Sequence, residues 1–503
     1  MLRSRRLALL ASLLMLALVL PAWADLQDEV ARAINQSGLR GATIAISIRD
    51  PDTDRTLVRV NDRQPMIPAS NMKLLTTGAA LHVLGPDFAF ETRIVLQGDR
   101  LIVIGDGDPG LGDPELLPMV AAGDKQGVTI EEFLQLLVAP IAERITGPIS
   151  ELIVDDRVFD RAFFHPGWPR DQLQFRYCAQ VAGLNFHLNI LHFFPVPQRD
   201  QKPDVSRFEP HAPWLDLTSN RATSNPDPKI GNTFGVARPI DANRFTFLGN
   251  VKEPAREPVR VTLHDAPDFF ARLLADRLNK RGVRVAAARA ASDADAFDPD
   301  RQTIVAPLVR TPIGTAITRC NRESYNLYAE CLLKRAGHAV TNGNQPGSWA
   351  NGAAAVRLAA QQRLTDPTLL DDLIVSDGSG LSRDNRVSAA LLTAWLGSFH
   401  RDPQRGGPFI DSLAVGGVSG TLENRFKDAQ FSGFTIHAKS GFINEVSCLS
   451  GYVTAADGRR LCFSVLVNDI RAGGVAAART LQEAVVAAIA RELAAAAKVE
   501  IGG

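Results

Sequence analysis

The sequence predicts an α/β fold in which one domain is assembled from both ends of the chain, with a mostly β module inserted near residue 93. Three observations carry that expectation. Near the N-terminus an alternating stretch is followed by apolar residues at helical spacing. Residues 93–302 then change character, with short strand-like runs separated by Pro, Asp and Gly turns. From residue 303 helical patterns return, and they give way to three strands and a terminal helix.

The elements follow in order. Arg3, Arg5 and Arg6 precede an apolar run from Leu7 to Leu20 broken only by Ser12, and Pro21-Ala22-Trp23-Ala24 comes next. This is the pattern of a secretory signal with an Ala-x-Ala cleavage site, placing the mature start at Asp25. The run is shorter than the roughly 20 residues needed to span a bilayer. Polar and apolar residues alternate over 41–48, turn at Asp50-Pro51-Asp52 and alternate again over 57–60, which predicts a hairpin. After Pro68, Leu74, Leu81 and Leu84 recur at helical spacing until Gly85-Pro86, so Ser70 is expected in a helix's first turn. Strands are expected at 93–97, 101–104 and 151–154, and the inserted module 93–302 reads as two subdomains. Helices are expected at 311–318, 325–336 and 349–362, strands at 435–439, 446–453 and 461–467, and a helix over 481–497 packing on a sheet. The parts flanking the insert, 25–92 and 303–503, form the other expected domain.

Charge and cysteine content narrow the function classes. Without the leader, 52 basic residues face 55 acidic ones, a net of −3, and nothing suggests nucleic acid. No later stretch is long and apolar enough to cross a membrane, so membrane association is expected to be peripheral at most. Five cysteines in so long a secreted chain are no disulfide framework. Cys448 and Cys462 flank the Asp457-Gly458 turn, where a bridge depends on strand register.

Ser70-Asn71-Met72-Lys73 puts a hydroxyl and an amine three residues apart at a helix start, so both emerge on one face. A serine hydroxyl is unreactive at neutral pH unless a base takes its proton, and a lysine with a lowered pKa can be that base. Alone the spacing is weak evidence. It gains weight from Ser324-Tyr325-Asn326 at the start of a helix and Lys439-Ser440-Gly441 at the end of a strand, because the three motifs stand in the order used by penicillin-binding proteins and β-lactamases.

The chain resembles the class C low-molecular-mass penicillin-binding proteins, the DacB-type D-alanyl-D-alanine carboxypeptidases/endopeptidases. Further matching stretches are Gly105-Asp106-Gly107-Asp108-Pro109, Pro166-Gly167-Trp168-Pro169, Pro346-Gly347-Ser348-Trp349, Asp377-Gly378-Ser379-Gly380-Leu381-Ser382-Arg383, and Gly420-Thr421-Leu422 before Arg425. The resemblance implies an antiparallel sheet flanked by helices, with domains inserted between Ser70 and Ser324. It implies a periplasmic enzyme acting on peptidoglycan stem peptides and cross-links, with β-lactam antibiotics as covalent inhibitors and no cofactor or metal.

Carried over by position, Ser70 attacks the penultimate D-Ala carbonyl, Lys73 accepts its proton and Ser324 relays a proton to the departing amine. Asn326 holds Lys73 and a substrate amide, Lys439 and Ser440 meet the terminal carboxylate, and the backbone N–H groups of Ser70 and Phe442, beside Gly441, form the oxyanion hole. The resemblance also assigns Asp171, Tyr177, Arg383 and Asn444 to the free end of diaminopimelate, an acid for an ammonium and an Arg for a carboxylate. Ser440 stands where Thr is usual and Tyr325 where Asp is frequent, and neither change removes a reacting group.

Other features point elsewhere less well. Asp106, Asp108, Asp113 and Glu115 lack the ligand order of an EF-hand. The nine histidines form no His-Glu-x-x-His pair, and His437 is expected to pack. No Gly-x-Ser-x-Gly elbow occurs. The competing expectations are a β-lactamase or esterase on the same core, and a wall-binding protein with a vestigial site.

Overall fold

The computed structural model describes residues 21–122, 125–199, 201–227 and 229–501. The leader expected over 1–24 lies outside the described residues up to position 20, and the helix Pro21–Gln36 runs on from there.

The chain forms two compact units. The first takes the described residues through His82, Ile317–Ser324 and those from Val356 onward. Its centre is a six-stranded antiparallel sheet in the order Ala414–Val415, Phe434–Ile443, Val446–Ala455, Arg460–Asn468, Thr43–Arg49, Thr56–Val60. Period-two alternation decides what each face meets. Ile46, Ile48, Val465 and Val467 face a core filled by Leu26 and Val30 of the first helix and Leu481, Val485 and Ile489 of the helix Val475–Ile501. On the other face Ser47 hydrogen-bonds Thr393 at 2.8 Å, and Tyr452 reaches the carbonyl of Leu396, so the helix Ala389–His400 covers it. The helix Met72–Leu84 is buried over its first ten residues. Trp395 donates to its Leu74 carbonyl at 2.9 Å, and at Gly78 a Cβ would come within 2.7 Å of Trp395, so the glycine sets how closely the two helices approach.

The second unit takes Val83–Ala316 and Tyr325–Ala355. Its main sheet is mixed: Val285–Ala290, Ile149–Asp155 and Arg100–Ile104 run parallel, while Ala89–Gln97 lies antiparallel beside them and pairs with Thr303–Ile304 and Val309–Pro312. Parallel neighbours need long crossovers, usually helical. Here they are the helices Ile130–Arg144, opened by a Thr129/Glu132 capping box, and Ala266–Lys280. These two helices come in addition to the many short strands expected of this segment, which also form two three-stranded sheets.

The units divide at other positions than the expected 93 and 302. The physical reason is that Ala89–Gln97 takes its partners from 303–312, which ties both flanks to the insert. The helix expected at 311–318 is Ile313–Arg322, because Thr311 is in the strand Val309–Pro312. Cys448 stands opposite Leu466 and Cys462 opposite Tyr452, so this register leaves both as buried thiols with no bridge between them.

Candidate active site

Ser70 lies in the 3-10 turn Ala69–Asn71, immediately ahead of the helix Met72–Leu84 rather than in its first turn. The preceding Ala69 has φ +46°, a left-handed conformation that is costly for an L-residue and recurs at functional sites. Two glycines make room for this turn. At Gly380 (φ +82°) a Cβ would fall 1.7 Å from the Ala69 carbonyl oxygen, and at Gly441 it would lie 3.0 Å from the Ser70 nitrogen. The strand Phe434–Ile443 thus passes hard against the Ser70 amide, which is why the third residue of Lys439-Ser440-Gly441 carries no side chain. Asn71 fixes the same approach by donating to the Lys439 carbonyl at 3.0 Å.

Lys73 is fully buried, and its ammonium donates to Ser70 Oγ at 3.0 Å and to the Ser379 carbonyl at 2.8 Å. That carbonyl is supplied by a loop wound on one carboxylate. Asp377 accepts from the amides of Gly380 at 2.8 Å and Ser382 at 2.7 Å, and from Asn385 Nδ2 at 2.8 Å. Thr76 adds a bond from the helix Met72–Leu84 to the Gly378 carbonyl at 2.7 Å.

Lys439 is also fully buried and donates to Ser324 Oγ at 2.9 Å and to the Ser440 carbonyl at 2.8 Å. Burial, reinforced by the charge of Lys73, pulls its pKa down to about 7. Ser324 sits at φ +64° in the short link between two helices, the second of which starts at Asn326. Ser440 donates to Thr421 at 2.8 Å. Phe442 is 55% exposed on the same strand. Beyond it Arg383 donates to the Asn444 carbonyl at 2.7 Å and pairs with Glu445 at 3.3 Å. His437 is half-buried, and burial lowers its pKa.

One unit therefore brings together Ser70, Lys73, Ser324, Lys439, Ser440, Gly441 and Phe442, with Arg383 and Asn444 joined to each other. Asn326, Asp171 and Tyr177 belong to the other unit, where Asn326 Nδ2 donates to the Tyr177 carbonyl at 2.9 Å and the Tyr177 hydroxyl donates to Gln172 at 2.9 Å. Asp171 is exposed in the turn Arg170–Gln172. Tyr325 is held there by a hydrogen bond to Glu115 and by Arg176 over its ring at 5.6 Å. The acidic run 106–115 is engaged with protein partners: Asp106 with Arg335 at 2.8 Å, Asp108 with Thr311 at 2.8 Å and Asp113 with Tyr328 at 2.6 Å. Burial pushes Asp108 up to about 7.

Sequence reasoning assigned no role to Asn71, Asp377, Ser379 or Thr421. The signal for three of them was present in the stretches 377–383 and 420–422: Asp377 bonds within its own loop, whereas Ser379 meets Lys73 from 306 positions away.

The model of the D-Ala-D-Ala carboxypeptidase 3 (S13) family matches residues 26–492. A D-alanyl-D-alanine carboxypeptidase of Actinomadura sp. (strain R39) is 28% identical over 468 residues, covering 88% of this chain and 81% of that protein. The D-alanyl-D-alanine carboxypeptidase DacB of Haemophilus influenzae is 22% identical over 486 residues, 93% of each chain. The crystal structure of penicillin binding protein 4 (dacB) from Haemophilus influenzae superposes with a TM-score of 0.71 at 20% identity, covering 92% of this chain and 99% of that one, and so shares the fold. With the family matched along almost the whole described chain, this protein belongs to the D-Ala-D-Ala carboxypeptidase 3 (S13) family and is a serine-type D-Ala-D-Ala carboxypeptidase/endopeptidase of the DacB type.

Proposed function

We propose that Ser70 is the nucleophile of this enzyme and that Lys73 is its base. The observation that carries the assignment is the bond between the buried Lys73 ammonium and Ser70 Oγ. In the reacting state Lys73 is the neutral amine and accepts the Ser70 proton as Oγ bonds to the penultimate D-Ala carbonyl carbon. The oxyanion is met by the Ser70 and Phe442 amides. The C–N bond then breaks as Ser324, hydrogen-bonded to Lys439, gives its proton to the departing amine and takes up in exchange the one that Lys73 accepted, which returns Lys73 to the neutral amine. Water hydrolyses the Ser70 ester, releasing the shortened peptide and restoring the hydroxyl. Lys439, with Ser440 beside it, takes the terminal carboxylate of the leaving residue at this end of the strand. In a cross-linked peptide the same steps expel a different amine, which gives endopeptidase activity from one acyl-enzyme.

Family pattern assigns Asn326 to a substrate amide, and Asp171, Tyr177, Arg383 and Asn444 to the free end of the substrate side chain. The leader over 1–24 supports export to the periplasm, where stem peptides and cross-links are reached. Benzylpenicillin acylates Ser70 in the same way, its lactam C–N bond breaking while the amine stays tethered. The test is D-Ala release from a pentapeptide muropeptide, followed by chromatography. Wild type is expected to release D-Ala and Ser70→Ala to fall at least about 1,000-fold; equal rates would remove Ser70 from the mechanism.

A further inference from the structure

The strand Phe434–Ile443 is paired along its whole length with Val446–Ala455, and on its other side His437 and Ala438 stand opposite Val415 and Ala414 while Gly416 N donates to the Ile436 carbonyl at 2.9 Å. Among the described residues no strand pairs with that side from Lys439 onward, and an unpaired strand edge is what an extended peptide adds to. The tight turn after Val415 closes back over its beginning. Ser419 N donates to the Val415 carbonyl at 3.0 Å, Ser419 Oγ accepts from Val415 N at 3.2 Å, and Gly417 N donates to the Leu422 carbonyl at 3.0 Å. Gly420, at φ +58°, lies so close to Arg322 that a Cβ would stand 2.3 Å from its carbonyl oxygen. This turn delivers Thr421 to Ser440.

The two hydroxyls are 2.8 Å apart, with Ser440 donating. A hydroxyl has one hydrogen and two lone pairs. Ser440 uses its hydrogen on Thr421, so the hydrogen left to donate outward is that of Thr421, whose residue is exposed. Next to it Lys439 anchors to the Ser440 carbonyl at 2.8 Å.

We propose that Thr421 is a binding residue for the substrate's terminal carboxylate and sets the preference for a free acid over an amide at that end. The inference rests on the assignment of Ser70 as nucleophile and of Lys439 and Ser440 to the carboxylate end. It also accounts for the bond at position 440: the outward donor that Ser440 withholds is supplied from the neighbouring turn.

The experiment uses the mature chain as wild type, Thr421→Val and Thr421→Ser. For each, kcat and KM are measured on a D-Ala-D-Ala-terminated peptide, together with the inhibition constant of its C-terminal carboxamide as competitor. Thr421→Val is expected to raise KM for the acid about tenfold, as loss of a hydrogen bond to a charged group should, with kcat within about twofold and the carboxamide's inhibition constant unchanged. Thr421→Ser is expected to match wild type within about twofold. An unchanged ratio of the acid's KM to the carboxamide's inhibition constant in Thr421→Val, whether both constants stay or both move, overturns the assignment. Benzylpenicillin labelling separates the two levels. A Ser70 adduct on wild type and Thr421→Val with that unchanged ratio overturns Thr421 alone, and no adduct on wild type overturns the Ser70 reading with it.

Discussion

At the residue scale the chemistry depends on two buried lysines with different tasks. Lys73 is bonded to the Ser70 hydroxyl, which it activates in the proposed mechanism, whereas Lys439 is bonded to Ser324 and to its own strand. Burial and the charge of Lys73 bring Lys439 to about 7, below the ordinary lysine value of 10.5. The sign follows from that direction. In the free enzyme Lys439 loses its positive charge as pH rises through about 7, so affinity for a carboxylate declines above that point, while a bound carboxylate pulls the charge back. The profile of kcat/KM for a D-Ala-terminated peptide is therefore expected to turn down with an alkaline limb near pH 7, and kcat at saturation to hold to higher pH. A flat kcat/KM from pH 6 to 9 would contradict this. The same shift makes folding stability rise with pH between about 7 and 10.5, where the unfolded chain binds the extra proton. The lysines and their serines were legible in the sequence because each pair rests on local spacing or on a motif. Ser379 was not, since its contribution is a carbonyl delivered to Lys73 from 306 positions away in the chain.

At the element scale the site is a meeting of three turns and one strand edge. The 3-10 turn at Ser70, the Asp377 loop and the Gly420 turn each contain a residue in the left-handed region, Ala69, Gly380 and Gly420. Close approach explains the glycines. Replacing Gly380 by Ala would drive a Cβ to within 1.7 Å of the Ala69 carbonyl and 3.0 Å of Met72 Cβ, displacing the nucleophile turn. Gly380→Ala is expected to slow penicillin acylation about 100-fold and to lower Tm by several degrees, measured by stopped-flow labelling and calorimetry. Acylation at the wild-type rate would show that this contact does not position Ser70. The sequence located two strands of this sheet within a residue or two over 446–453 and 461–467, because both are short apolar and small-residue runs buried on both faces and joined by the Asp457-Gly458 turn. It fell short at 435–439, where the strand continues to Ile443 past Ser440 and Gly441, residues chosen for chemistry and clearance rather than for strand propensity.

At the scale of the whole molecule, the sequence conveyed a catalytic unit drawn from both ends of the chain more readily than it conveyed the second unit. The catalytic sheet is antiparallel and built largely from sequence neighbours, so hairpin signals suffice to find it. The other unit's sheet has parallel pairs whose strands are separated by whole crossovers, and the helices Ile130–Arg144 and Ala266–Lys280 are implied only once that pairing is known. The same non-local pairing places the division after His82 and Ala316 rather than at 93 and 302.

The central claim is that Ser70 forms the acyl-enzyme. Its most direct test is the intact mass of the mature protein after incubation with benzylpenicillin, beside Ser70→Ala. One penicilloyl adduct on wild type, mapped to the peptide containing Ser70 and absent from the variant, is the predicted result. An adduct of equal yield on Ser70→Ala, or an unmodified wild type, would contradict it.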